Sequence, residues 1–113
     1  MRDRDNDIMK HIVKYCKQIK ETLDNYGNEK DEFFANHIFR NAVSMCIFQI
    51  GELANHLTED FTENTKSEIP WYQVRGMRNR FGHGYGDMDI VRIWETAVAD
   101  IPILEMVCAK NIK

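Results

Sequence analysis

A chain of 113 residues is long enough to bury a core and too short for two, so residues 1–113 read as one domain. Hydrophobic residues at 43% and charged residues at 29% exclude a disordered polymer, and the net charge of −3 disfavours indiscriminate coating of nucleic acid. The opening Met1-Arg2-Asp3-Arg4-Asp5-Asn6-Asp7 alternates charges where a signal peptide needs an apolar run, and no stretch reaches bilayer-spanning length, so a cytoplasmic protein with no membrane partner is expected.

Ile8, Ile12, Cys16, Ile19, Leu23 and Tyr26 recur at steps of three and four, which predicts a first helix with one buried stripe and Gly27 at its C-terminal cap. A second helix is expected from near Asp31 to about Leu57, apolar on two sides. Phe39, Val43, Cys46, Ile50, Leu53 and Leu57 form one stripe. Phe34, Ile38, Ala42 and Met45 begin another, which continues into Gln49, Glu52 and His56. A helix apolar on two sides must be covered on two sides, and in so small a domain a second copy of the chain is the natural cover.

Polar residues 58–68 read as a loop, and Pro70 suits the first turn of a third helix in which Val74, Met77 and Phe81 point inward while Arg75 and Arg78 share another face. Asp87 or Asp89 can cap a fourth helix with the stripe Ile90, Trp94, Ala97, Ile101, Leu104 and Cys108, in which Pro102 predicts a kink or a break into two. No segment has the two-residue period of a strand, so the fold class is all-α, an antiparallel bundle. Cys16, Cys46 and Cys108 are odd in number and each falls in an apolar helical pattern, as expected of buried free thiols. Trp71 and Trp94 read as core anchors, and His11, His37 and His56 as surface residues.

The chemistry concentrates between Met77 and Asp87, where three glycines alternate with Phe81, His83, Tyr85 and Asp87 at a helix exit. Residues Trp71 to Gly86 hold Arg75, Arg78 and Arg80 and no carboxylate, so this window carries +3 and the rest of the chain −6. Arg78 precedes His83 by four intervening residues. An arginine fork clamps a phosphate and a histidine exchanges protons near neutral pH, which together suit metal-free RNA cleavage by the 2′-hydroxyl. Asn79 caps the helix or fixes the arginine. Asp87, Asp89 and His83 lack a second histidine at ligand spacing, so neither a metal nor another cofactor is expected. A solvated arginine face and a loop histidine are the plain alternatives for each residue alone.

At these residues the sequence resembles the HepT-like proteins of the HEPN superfamily, the ribonuclease toxins of bacterial and archaeal HEPN/MNT toxin–antitoxin pairs. The resemblance is carried by Ile50-Gly51-Glu52-Leu53, Ile69-Pro70-Trp71, Met77-Arg78-Asn79-Arg80 with His83-Gly84-Tyr85, and Trp94, in that order. It implies a four- to five-helix HEPN-type bundle, homodimeric, with the motif at the dimer cleft. It also implies catalytic roles for Arg78 and His83, with Arg75, Asn79 and Arg80 supporting phosphate. A nucleotidyltransferase antitoxin of the MNT type would be the protein partner, RNA the substrate, and Tyr85 the acceptor of an adenylate. Phe81 and Gly82 stand before the histidine where the family often has aliphatic residues. Two other functions fit the same residues: a noncatalytic module that binds a nucleotide or docks a nucleotidyltransferase, and a purely structural dimerisation bundle.

Overall fold

The computed structural model describes residues 3–81 and 89–113, with the backbone alone for residues 3 and 79–81. Helix α1 spans Asp3–Asn25 and buries the expected stripe, with Met9 and Val13 beside it. Its end is a Schellman motif: Asn28 N–H donates to Leu23 O at 2.8 Å and Gly27 N–H to Asp24 O at 3.2 Å. Gly27 supplies the left-handed residue at φ 74°, and Asn28 follows at φ 56°, which asparagine tolerates.

The second helix is two. α2 spans Lys30–Ala35 and α3 spans His37–Ala54, separated by Asn36 in an extended conformation whose side chain caps α3 by accepting from Ile38 N–H and Phe39 N–H. The change of direction turns Phe33 fully inward, 5.1 Å from the Phe39 ring and 5.2 Å from Trp94, while Phe34 packs at the edge of the core. A straight helix would hold neighbouring Phe33 and Phe34 about 100° apart, with only one of them on the stripe of Phe39. α3 ends earlier than expected, and Leu57 is buried beyond it.

The stretch expected as a loop contains a helix, α4, spanning Glu59–Thr65 and capped by the Thr58 hydroxyl. It buries Phe61, Thr62 and Thr65. Thr65 hides its polarity by donating to Phe61 O at 2.7 Å and accepting the Trp71 indole N–H at 2.8 Å. α5 then spans Trp71–Arg75, with Pro70 at its cap, and tightens into a 3₁₀ helix over Gly76–Phe81. Val74 and Met77 point inward as expected.

α6 spans Ile90–Glu95 and is capped by Asp89, which accepts from Arg92 N–H at 3.2 Å. A π-helical turn over Thr96–Asp100 joins it to α7, Ile101–Asn111. Pro102 offers no N–H and its ring crowds the carbonyl four residues back. The wider turn, in which Ile101 N–H reaches Thr96 O, absorbs both defects without an intervening loop.

The pieces group into five helical arms, α1, α2 with α3, α4, α5 with its 3₁₀ extension, and α6 with α7, and no strand occurs among the described residues. α1 runs antiparallel to α3: Tyr26 at its end stacks on Phe39 at 4.5 Å, and Asp5 at its start reaches Thr58 beyond the end of α3. α7 returns along α1 until Lys113 N–H donates to Asn6 Oδ1 at 2.7 Å. Trp71 and Trp94 are core residues, the three other histidines are exposed, and no described helix is long and apolar enough to cross a membrane.

All three cysteines are free and buried. Burial pushes the Cys108 thiol up to about 12, and raises Cys46 and, more strongly, Cys16, where the neighbouring Cys108 and Glu105 add to the desolvation. In the unfolded chain these thiols ionise near about pH 8.5. The native state therefore holds more protons above that pH. Their contribution to stability is complete below it and falls as pH rises toward the folded values, by at most about 1.4 kcal/mol per thiol per pH unit. Urea midpoints should drop from about pH 8 to about pH 10, and Cys108→Ala should flatten that slope. An unchanged slope would remove the thiols as its cause.

Candidate functional site

Arg78 stands in the 3₁₀ segment where it crosses the C-terminal half of α3. Gly51 makes this crossing possible: a Cβ built on it would lie 3.0 Å from the Arg78 backbone nitrogen and 3.5 Å from Met77 Cβ. One residue further on, Glu52 Oε1 accepts from Arg78 Nη1 at 3.0 Å. The two features act together, since glycine lets the segment approach and glutamate aims the guanidinium along the surface. The side chains are 47% and 37% exposed, so the ion pair is screened by water and worth at most about 1 kcal/mol. A phosphate can take the place of Glu52 without a large penalty.

Arg75, three residues earlier, donates its Nε–H to Ala54 O at 3.1 Å. Ala54 is the last residue of α3, whose terminal carbonyls carry the negative end of the helix dipole, so the cation fits there. The bond also leaves the terminal nitrogens of Arg75 for another acceptor. Arg75 and Arg78 line one shallow cleft of about 600 Å³ together with Asn55, Tyr72, Gln73, Gly76, Arg92 and Asp100.

The expected pairing of Arg75 and Arg78 on one surface is thus realised through their separate anchors on α3. Arg80 and Asn79 lie in the 3₁₀ segment by backbone, and their side chains lie outside what is described, as does that of Phe81. Gly82, His83, Tyr85 and Asp87 lie outside the described residues. Arg92, outside the Met77–Asp87 segment, joins the cleft from α6. The signal in the sequence is a basic residue three positions after Asp89 and off the apolar stripe of Ile90 and Trp94, and in the structure it is exposed beside buried Ile93 and Trp94.

The arrangement of Gly51, Glu52 and Arg78 joins two of the segments on which the family resemblance rested. A model of the family described as "Ribonuclease HepT-like" matches residues 12–110. The chain belongs to this family. Among relatives of this HepT-like chain, a protein of Caldanaerobacter subterraneus subsp. tengcongensis named "Putative RNase" is 30% identical over 97 residues, covering 86% of this chain and 84% of the relative. A protein of the same description from Methanocaldococcus jannaschii is 32% identical over 107 residues, covering 90% and 88%. A protein of Thermococcus cleftensis named "Probable ribonuclease HepT" is 31% identical over 75 residues, covering 66% and 67%. No solved structure matches the HepT-like chain significantly.

The crossing at Gly51 can be tested directly. Gly51→Val should cost about 2 kcal/mol of stability by forcing the 3₁₀ segment off α3. Gly51→Ala should cost less, because a better helix residue offsets part of the crowding. A valine variant with the wild-type urea midpoint would show that the contact is not tight.

Proposed function

We propose that this chain is a metal-independent endoribonuclease toxin of a HEPN/MNT toxin–antitoxin system. The observation that carries the reading is Arg78, fixed on an open cleft by Gly51 and Glu52 and followed after four residues by His83. In the reaction a base removes the proton of a ribose 2′-hydroxyl and the oxygen attacks the adjacent phosphorus. The bond from phosphorus to the 5′-oxygen breaks, an acid protonates that oxygen, and a 2′,3′-cyclic phosphate remains. His83 serves as base or acid, Arg78 neutralises the developing charge on the phosphoryl oxygens, and Arg75, Asn79 and Arg80 support the phosphate. A second copy supplies the other proton-transfer group at a shared cleft.

A dimer also gives the exposed face of α3 a cover. Ile38 and Met45 are 60% and 58% exposed, and Ala42 between them is exposed as well. Sedimentation at micromolar concentration should give a dimer, and Met45→Glu should shift it toward monomer by burying an unpaired charge. A wild-type monomer would sink the composite site.

The cleavage reading is tested on single-stranded RNA with a chelator present. Cutting should persist, end in cyclic phosphates, and fail on a strand whose 2′-hydroxyls are replaced by hydrogen. An inert wild-type chain that still binds its nucleotidyltransferase would favour the docking module instead. Tyr85, two residues after His83, is the proposed adenylate acceptor, where added bulk and negative charge compete with substrate for the arginines. Co-expression with an adjacent nucleotidyltransferase should add an adenylate mass that Tyr85→Phe abolishes, and the modified protein should not cut RNA.

A further inference from the structure

The cleft beside Arg78 holds more than a phosphate clamp. Inward-facing Trp71 and Val74 fix the register of α5, which leaves Tyr72 and Arg75 outward. Tyr72 is 90% exposed, so nearly its whole ring faces water. A single exposed aromatic residue is unremarkable by itself. Here it shares a cleft with three arginines: Arg75 and Arg78 come from the α5 side and Arg92 from α6. Both tryptophans are committed to the core, so Tyr72 is the aromatic face this cleft presents among the described residues.

An aromatic ring beside positive charges, in an open groove, matches the chemistry of an unpaired nucleic-acid strand. Successive phosphates need cations, and a splayed base needs a flat surface on which to stack. In a duplex the bases are already stacked and paired, so Tyr72 would have no face to meet. Among the described residues, Asp100 is the one carboxylate that lines the cleft, and it repels phosphate, which favours a backbone path along the arginines.

We infer that this cleft is a binding tract for single-stranded RNA, in which Tyr72 stacks on one unpaired base and Arg92 holds a phosphate next to the one clamped by Arg78. The inference rests on the ribonuclease reading and adds to it the strand state of the substrate and two residues outside the Arg–His motif. Both are positioning residues, since they are assigned a base and a neighbouring phosphate and no part in proton transfer. Tyr72 demands an unstacked base, whatever its identity, so cleavage should concentrate in loops and unpaired tails.

The test measures binding apart from cleavage, by fluorescence anisotropy with an uncleavable 2′-O-methyl strand, alone or annealed to its complement. The single strand should bind more tightly than the duplex. Tyr72→Ala should weaken it roughly tenfold or more, with Tyr72→Phe close to wild type. Arg92→Ala should weaken binding and lower the salt dependence by about one counterion. On cleavable RNA, Tyr72→Ala should raise KM more than it lowers kcat. If wild type cuts RNA while both variants bind and cut normally, the tract is wrong and the ribonuclease reading stands. If the strand binds with these sensitivities and is never cut, the tract stands and the ribonuclease reading falls. Preference for the duplex, or no binding at all, overturns the tract.

Discussion

Arg78→Ala should lower the rate of RNA cleavage by roughly a hundredfold to a thousandfold while leaving the fold intact. The size follows from what an arginine does beside a phosphoryl group in flight: its charge and planar donors stabilise negative charge that grows only in the transition state. The stability cost is small because the side chain stands at the surface, its ion pair with Glu52 is screened, and the Glu52 carboxylate left behind stays accessible to water. Arg78→Lys should recover little, since an ammonium cannot offer two parallel N–H donors to two phosphoryl oxygens. His83→Ala should cost roughly a hundredfold to ten-thousandfold, the range for losing a positioned acid or base. The measurements are single-turnover cleavage of a single-stranded RNA with a chelator present, and thermal unfolding of each variant. Alanine variants that cut at the wild-type rate would remove the Arg–His mechanism. Variants that fail to fold would show that Arg78 is structural, against its exposure.

The parts of the fold that could be read from the chain are those in which one periodicity persists. α1 keeps its step of three and four for five turns and ends in glycine, so its face and its cap were both legible. The arm of α6 and α7, expected as the fourth helix, kept its stripe from Ile90 to Cys108 through a π turn, because that turn rotates the register without leaving the core. What failed was decided by contacts distant in sequence. Asn36 looks like one unfavourable residue in a long helix, and only the need to bring Phe33 against Trp94 turns it into a cap. Residues 58–68 look too polar for a helix, and the contact that starts one comes from Asp5, which holds the Thr58 cap, while Thr62 and Thr65 satisfy their hydroxyls on carbonyls of the same helix. The candidate site divides in the same way. Arg75 and Arg78 were visible from their spacing, whereas the role of Gly51 depends on a crossing between two helices and Arg92 enters from a third.

Asp5→Ala should be the most destabilising single change outside the apolar core, at about 3 kcal/mol. In the sequence Asp5 is one member of a charge-alternating N-terminus, yet the residue is 1% exposed. Oδ1 accepts from the Thr58 backbone N–H at 2.8 Å and Oδ2 from the Thr58 hydroxyl at 2.6 Å. The same hydroxyl accepts from Phe61 N–H at 3.2 Å, so the carboxylate orients the cap of α4 as well as tying α4 to the first turn of α1. Alanine removes two hydrogen bonds to a charged acceptor and strands a backbone N–H, each a loss of about 1–3 kcal/mol. For a chain of this size that corresponds to a fall of roughly 10 °C in Tm. Asp5→Asn keeps an oxygen for one donor and should lose about half as much. The consequence reaches the cleft by contact: α4 carries Phe61 and Thr65, which hold the ring and indole N–H of Trp71, and Trp71 opens the helix that bears Arg75. Below its lowered Tm the Asp5→Ala protein should therefore cut RNA, and lose activity on warming together with its fold. A Tm within about 2 °C of wild type would show that Thr58 finds water or another acceptor in place of the carboxylate.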